Sequence, residues 1–450
     1  MTVRSAVARV DWGEFLEASF WHGSVEQAEA MLKAHSAVAR ANIYCAAALG
    51  DDEAVGDFLA MDRSLATAKG GPRNLDALTY LCFSRFLAQG RSRSNGFLRA
   101  ATALLDAGAN PNTGFFDATH TPHPTHESAL YGAAGVAFHP GITRLLLERG
   151  ANPNDDEVPY HAPEARDNRA LRALLDSGTL TQDSLAVMLL RKSDLHDYDG
   201  IKLVLDAGAD VNRMSRSGRP ALHHAILCDN SLKIIVRLLA RGADPNVVAK
   251  CLDHAGSPRR GRSAISLAAR RGRGDVLHAM ETRGIPLLVE EVDQVVANCA
   301  RGRSDDTPTS AVLERMRRDA GALLCEFAGN NNAGGVALLL DFGFPVDAPY
   351  EHEDGYFDVT PRTTALLNAA WRAAHDTVEL LVERGADVNA FDGKGRTPLV
   401  QAIRAATESR WQNIRSPRSV RALLDAGASR AGVRYPTGYH AIDDLIARTG

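Results

Sequence analysis

The chain has 450 residues, 55 acidic against 51 basic side chains, and a formal charge of −4. So even a balance argues against a protein that coats nucleic acid or membranes through bulk charge. Hydrophobic residues at 45% and charged residues at 24% are the proportions of an ordinary soluble, folded chain.

In chain order, residues 14–19 with 25–32 read as an atypical opening pair of helices. Residues 41–49 with 52–59 read as a second pair, and 77–87 with 97–105 as a third. From there a phrase recurs: Leu104-Leu105-Asp106-Ala107-Gly108-Ala109-Asn110-Pro111-Asn112, then Leu146-Leu147-Glu148-Arg149-Gly150-Ala151-Asn152-Pro153-Asn154, then Val204-Leu205-Asp206-Ala207-Gly208-Ala209-Asp210-Val211-Asn212. It returns at 238–246 and 380–389, and more loosely at 174–178, 339–347 and 423–429. The pivotal glycines are Gly108, Gly150, Gly178, Gly208, Gly242, Gly284, Gly343, Gly385 and Gly427, spaced by 42, 28, 30, 34, 42, 59, 42 and 42 residues. Paired leucines near a helix end bury against neighbours, and a glycine just beyond them stops the helix by taking φ > 0. The Asn or Asp that follows turns the chain.

A second phrase precedes the clearer copies: Ser128-Ala129-Leu130, Pro220-Ala221-Leu222-His223-His224-Ala225, Ser263-Ala264-Ile265, Thr364-Ala365-Leu366 and Thr397-Pro398-Leu399. Its Ser or Thr can cap a helix, worth about 1 kcal/mol, and Pro398 suits a first helical turn. The 59-residue gap holds a diverged copy, with helices at 292–300 and 310–316. The next unit has helices at 322–327 and 336–340, and 439–447 closes the chain.

Together the two phrases resemble the ankyrin repeat, a β-turn plus two helices in about 33 residues with a T-P-L-H-x-A signature. Residues 220–225 keep its Leu, His and Ala, and Thr397-Pro398-Leu399 keeps its opening before departing at Val400. The resemblance covers roughly 100–430 well and implies an all-α ankyrin-repeat solenoid of about twelve helix-turn-helix units with several extended finger loops. The expected organisation is one continuous solenoid: diverged repeats over 1–108, the clear array over 109–430 and a capping helix over 431–450.

Three units carry eight or nine extra residues between glycine and cap, at 112–127, 247–262 and 348–363. In an ankyrin array that position is the finger. A fourth insertion, 406–420, separates the two helices of one unit. Insertions in repeat arrays often line the binding face, and exposed aromatics and arginines dominate binding hot spots. The candidate partner-binding residues are therefore Phe115 and Phe116; Arg259, Arg260 and Arg262; Tyr350, Tyr356 and Phe357; and Trp411. The competing expectation is that these side chains pack the long loops onto the array. Arg270, Arg271 and Arg273 extend the basic cluster, either as an anion-binding patch or as a solvated face.

His120, His123 and His126 are the weak metal candidates, since Pro122 and Pro124 stiffen the run and no fourth ligand has fixed spacing. His223 reads as a structural histidine bonding a neighbouring turn, and Tyr160-His161 as packing. Asp155-Asp156-Glu157 reads as a solvated turn. No Walker loop, GxGxxG, GxSxG or HExxH is present, so no nucleophile and base can be assembled.

Six cysteines, at 45, 82, 228, 251, 299 and 325, lie far apart without CxxC spacing. They read as free buried thiols in a reducing compartment. Residues 1–12 lack a secretory apolar core, and the longest apolar runs fall far short of the roughly 20 residues of a membrane helix. A cytoplasmic location follows, and the arginine and alanine bias points to a bacterial source. The expected function is a non-catalytic, monomeric scaffold without cofactor that recognises another protein, rather than a membrane or nucleic acid. The alternatives are an enzyme or metal-dependent module near the histidine-rich finger, and a secreted effector binding host proteins.

Overall fold

The computed structural model describes residues 11–89, 91–119, 123–216, 218–252, 258–304, 308–408 and 414–448. The chain forms two compact units, Met1–Ser215 and Arg216–Gly450. Each is a row of antiparallel helical hairpins.

Among the described residues the first unit has six hairpins. They are Trp12–Ser19 with Val25–Ala34, Ile43–Leu49 with Asp52–Met61, and Ala77–Cys82 with Arg91–Asp106. Then come Ala129–Tyr131, continued by a wide π turn over Gly132–Val136, with Pro140–Glu148; Val158–His161 with Arg169–Asp176; and Gln182–Asp194 with Tyr198–Asp206. The second unit also has six: Ala221–Leu227 with Leu232–Ala240, Ala264–Arg270 with Gly274–Glu281, Glu291–Ala300 with Ser310–Arg317, Ala320–Gly329 with Ala333–Asp341, Ala365–Trp371 with His375–Glu383, and Pro398–Thr407 with Arg418–Asp425. Helix His440–Arg448 follows. The hairpins hidden in the 59-residue gap lie where 292–300, 310–316, 322–327 and 336–340 place them, each a residue or more longer. None of the helices among the described residues is long and apolar enough to cross a membrane.

Local chemistry explains the boundaries. The hydroxyls of Ser128, Ser263, Thr364 and Thr397 each accept the amide hydrogen bond of the residue three further on. Pro220, lacking a hydroxyl, caps nothing. All nine pivotal glycines have φ between +67° and +108°. At Gly208 the conformation alone demands glycine, because a Cβ there would meet nothing within 4 Å.

The core of each unit is the seam between hairpins. Leu104, Leu146, Leu174 and Val204 in the first unit, and Leu238, Leu339, Leu381 and Leu423 in the second, are fully buried. One aliphatic residue of each recurring phrase is thus withdrawn entirely from solvent. Small residues set how closely hairpins approach: a Cβ on Gly274 would lie 2.0 Å from the Ala300 carbonyl oxygen, and one on Gly321 would lie 1.9 Å from that of Pro349.

The three long insertions are β-hairpins. In the first, strand β1 (Gly114–Asp117) pairs antiparallel with β2 (Thr125–Ser128), Phe116 opposite His126. In the second, β3 (Val248–Leu252) pairs with β4 (Pro258–Ser263), with an irregularity between Ala249 and Cys251. The third closes through two bridges, Tyr350 with Thr363 and Asp354 with Val359.

Candidate functional site

The first finger rises from the cap of helix Ala129–Tyr131. Alternation along β1 sends its two phenylalanines to opposite faces. Phe115 joins an aromatic cluster, its centroid 5.1 Å from Phe83, 5.7 Å from Phe20 and 6.5 Å from Trp21. Phe83 and Trp21 in turn meet Tyr131 edge-on at 5.8 and 5.6 Å. These rings come from three different hairpins, so Phe115 anchors the finger. Phe116 is 69% exposed, with the His126 ring beside it at 5.1 Å.

Between this finger and the turn at 66–76 lies a groove of about 600 Å³. Phe115, Phe116 and His126 form its finger wall; Lys69, Arg73 and Asn74 line the other side. Arg73 stacks over Phe20 at 4.8 Å and pairs with Glu17 at 2.6 Å. Asp76, also in the lining, is buried and committed to the Thr79 amide at 2.9 Å and the Thr79 and Thr113 hydroxyls. His123 is exposed, His126 is half-buried on β2, and His120 lies outside the described residues. No group of three metal-capable side chains among the described residues includes His123 or His126.

Behind the finger sits a titratable cluster that sequence reading missed. Glu127 on β2 is fully buried. Its burial, reinforced by Glu157, Asp117 and Asp155, pushes its carboxyl up to about 7, against an opposing pull from His161. His161 bridges Glu157 and Glu164 at 3.2 Å each and lies against the Tyr131 ring at 5.2 Å. Its neighbour Tyr160 is 45% exposed beneath the Arg191 guanidinium at 4.2 Å. Asp155 is not a solvated turn residue: it accepts from the Ser128 hydroxyl at 2.7 Å and the Val158 amide at 2.7 Å, tying finger to hairpin.

In the second unit, Arg259 and Arg260 lie on β4, Arg259 opposite Cys251. Arg262 is half-buried, and its carbonyl meets Nε2 of the fully buried His223 at 3.2 Å. His223 therefore links the base of its hairpin to the second finger, and its burial lowers its pKa. Neither expectation for the arginines following this finger describes what is found. Arg271 and Arg273 are buried and Arg270 half-buried. Arg270 pairs with Asp293 at 2.6 Å and Asp319 at 2.9 Å, and Arg273 with Asp275 at 2.9 Å. Arg271 pairs with Asp229 and, at 3.0 Å, with Glu326; Arg372 reaches the same Asp229 at 2.7 Å. Burial alone would raise the Asp229 carboxyl, but the two guanidiniums hold it well below the usual carboxylate range. These cations are structural ties between repeats, already neutralised.

The third finger divides its aromatics. Tyr350 and Phe357 are 8% and 5% exposed and pack with Cys325 and Val359. Phe357 lies under the Arg372 guanidinium at 4.1 Å. Tyr356 points outward, 38% exposed. Beside this finger, the turn before helix Pro398–Thr407 is clamped onto it: the Lys394 ammonium meets Asp358 at 2.7 Å, and the Gly393 amide donates to the Thr360 hydroxyl at 3.1 Å. Phe391 on that turn is 53% exposed. Trp411 lies outside the described residues.

The residues thus presented to solvent from the connections between hairpins include Phe116, Val248, Leu288, Tyr356 and Phe391. Sequence reading missed Val248, Leu288 and Phe391; each follows a pivotal glycine, Gly242, Gly284 or Gly385, by four to six residues, a position that could have found them. The thiols of Cys45, Cys82, Cys228, Cys299 and Cys325 are buried and unbridged. Burial pushes those of Cys45 and Cys299 up to about 12.

The ankyrin-repeat family model matches residues 217–250 and 362–393. Among curated proteins the chain is similar to the B-cell lymphoma 3 protein homolog of Mus musculus, 30% identical over 198 residues, which cover 41% of this chain and 39% of that protein. The matched part thus spans about two fifths of that relative's length. Among solved structures it is similar to the human ASB11 ankyrin repeat domain, at 17% identity and a TM-score of 0.26, covering 58% of this chain and 97% of that one.

Proposed function

Because the chain is an ankyrin-repeat protein, we propose that it is a non-catalytic scaffold that recognises another protein through its fingers and the concave face formed by stacked first helices. The observation that carries this reading is the exposure of large apolar side chains on the connections between hairpins. Phe116 and Phe391 are more than half exposed on these connections. Side chains of that kind, rimmed by polar groups, mark interaction surfaces. A standard interface of about 800 Å² per partner needs several fingers acting together, and the Asp358 clamp holds two of them side by side.

The thiols support a binding role over a catalytic one, since a thiol held protonated is a poor nucleophile. The same buried, unbridged cysteines support a reducing, cytoplasmic setting. Affinity capture with the full chain, read by mass spectrometry, tests the proposal. A protein retained by the wild type and lost from a Phe116→Ala, Tyr356→Ala, Phe391→Ala variant is expected. Retention unchanged by the triple substitution, or turnover of a small molecule by purified chain that binds no protein, overturns it.

A further inference from the structure

Resting on that reading, the structure points to the class of ligand that the first unit takes. We propose that the groove beside the first finger receives an extended acidic segment of the partner protein, with a carboxylate at Lys69 and Arg73 and an apolar side chain against Phe116.

Charge decides the sign of the ligand. Although the chain as a whole carries −4, the groove is lined by Lys69 and Arg73 against the single carboxylate of Asp76; Glu17 offsets Arg73, which leaves Lys69 as the uncompensated cation of the lining among the described residues. Asp76 is buried and saturated by Thr79 and Thr113, so it presents little charge to an incoming group. Lys69 is exposed and enters no hydrogen bond or ion pair among the described residues. Arg73 uses Nε and Nη2 on Glu17, which fixes the guanidinium at the groove wall and does so at an exposed position where a second carboxylate can approach. A cation in a cleft focuses its field on an opposite charge.

Shape decides the rest. Phe116 holds its ring away from the aromatic cluster while Phe115, one residue earlier, is locked into it. The exposed ring therefore sits on a strand that cannot swing away, which lowers the ordering cost of using it as a contact. About 600 Å³ of groove suits a few side chains of an extended segment rather than a globular face. The amides of Asn74 and Asn110, both exposed on the same lining, can pair with the backbone of such a segment.

The probe is a displayed library of random linear peptides, selected on the full chain. Enriched sequences are then remade as labelled peptides and titrated by fluorescence anisotropy. The expected sequences join Asp or Glu to an aromatic or aliphatic residue. Their binding should weaken at least tenfold in Lys69→Glu and in Phe116→Ala, hold in Lys69→Arg, and fall with added salt. Met61→Ala, at an exposed apolar position outside the groove lining, should bind as the wild type. Circular dichroism melts confirm that each variant is folded; Phe116 and Lys69 are exposed, so their replacement leaves the core intact. Enrichment of neutral or basic peptides, no enrichment at all, or acidic peptides indifferent to Lys69→Glu and Phe116→Ala would overturn the inference. Peptides lost in Phe391→Ala but kept in Phe116→Ala would overturn it while leaving the interaction role standing.

Discussion

Replacing Glu127 with Gln should make the protein more stable at pH 8 and leave it nearly unchanged at pH 5. In the folded chain Glu127 keeps its proton up to about pH 7, against an ordinary value of 4.5. Between those values the folded state binds more protons than the unfolded state, so stability falls as pH rises. At about 1.4 kcal/mol per tenfold in proton affinity, the loss above pH 7 is roughly 3.5 kcal/mol at most, and water reaching the site lowers it. The groups facing Glu127 are Glu157, Asp117, Asp155 and His161. His161 contributes a slope of the same sign. Burial opposes its charge, but Glu157 and Glu164 outweigh that and raise its pKa. Its stabilisation is complete below its ordinary 6.5 and is lost as pH rises through the folded value. Urea unfolding followed by tryptophan fluorescence, to which Trp21 packed on Phe83 and Tyr131 contributes, at pH 5, 6, 7 and 8 measures both. The stability of the wild type relative to Glu127→Gln should fall steadily across the range. A variant less stable than wild type at pH 8, or one with the wild-type slope, refutes this account of the buried carboxylate.

Three further substitutions probe the array. Arg372→Ala leaves the buried Asp229 with Arg271 but without its second cation, and should cost about 3–5 kcal/mol; Asp229→Asn should cost less in the Arg372→Ala background than in the wild type, which a double-mutant cycle by chemical denaturation reads directly. Gly208→Val meets no neighbour, yet at φ of +89° it should cost more than about 1 kcal/mol from backbone strain alone; an unchanged melting temperature would show that Gly208 does not need its left-handed conformation.

Interactions that act over three or four residues were readable from the chain. Helix stops at Gly108 through Gly427, hydroxyl caps at Ser128, Ser263, Thr364 and Thr397, and the phase of the buried leucines depend only on near neighbours, so a recurring phrase carries them. The three extra-long connections were legible for the same reason, as surplus residues between two fixed punctuation marks. Which way their side chains face was not. Phe115 and Phe116 are adjacent and look alike, but the presence of Phe20, Trp21 and Phe83 on other hairpins half-buries one and leaves its neighbour in solvent. Tyr350, Phe357 and Tyr356 part in the same way over Cys325 and Val359. The arginines show the limit most clearly. Arg271, Glu326, Arg372 and Asp229 have no common spacing, and the ion pairs among them form only when separate repeats stack. Burial then makes each charge require a partner, and the sequence position of that partner is set by the stacking rather than by any local rule. Local physics thus wrote the repeat, and long-range packing chose which of its polar and aromatic residues were left exposed.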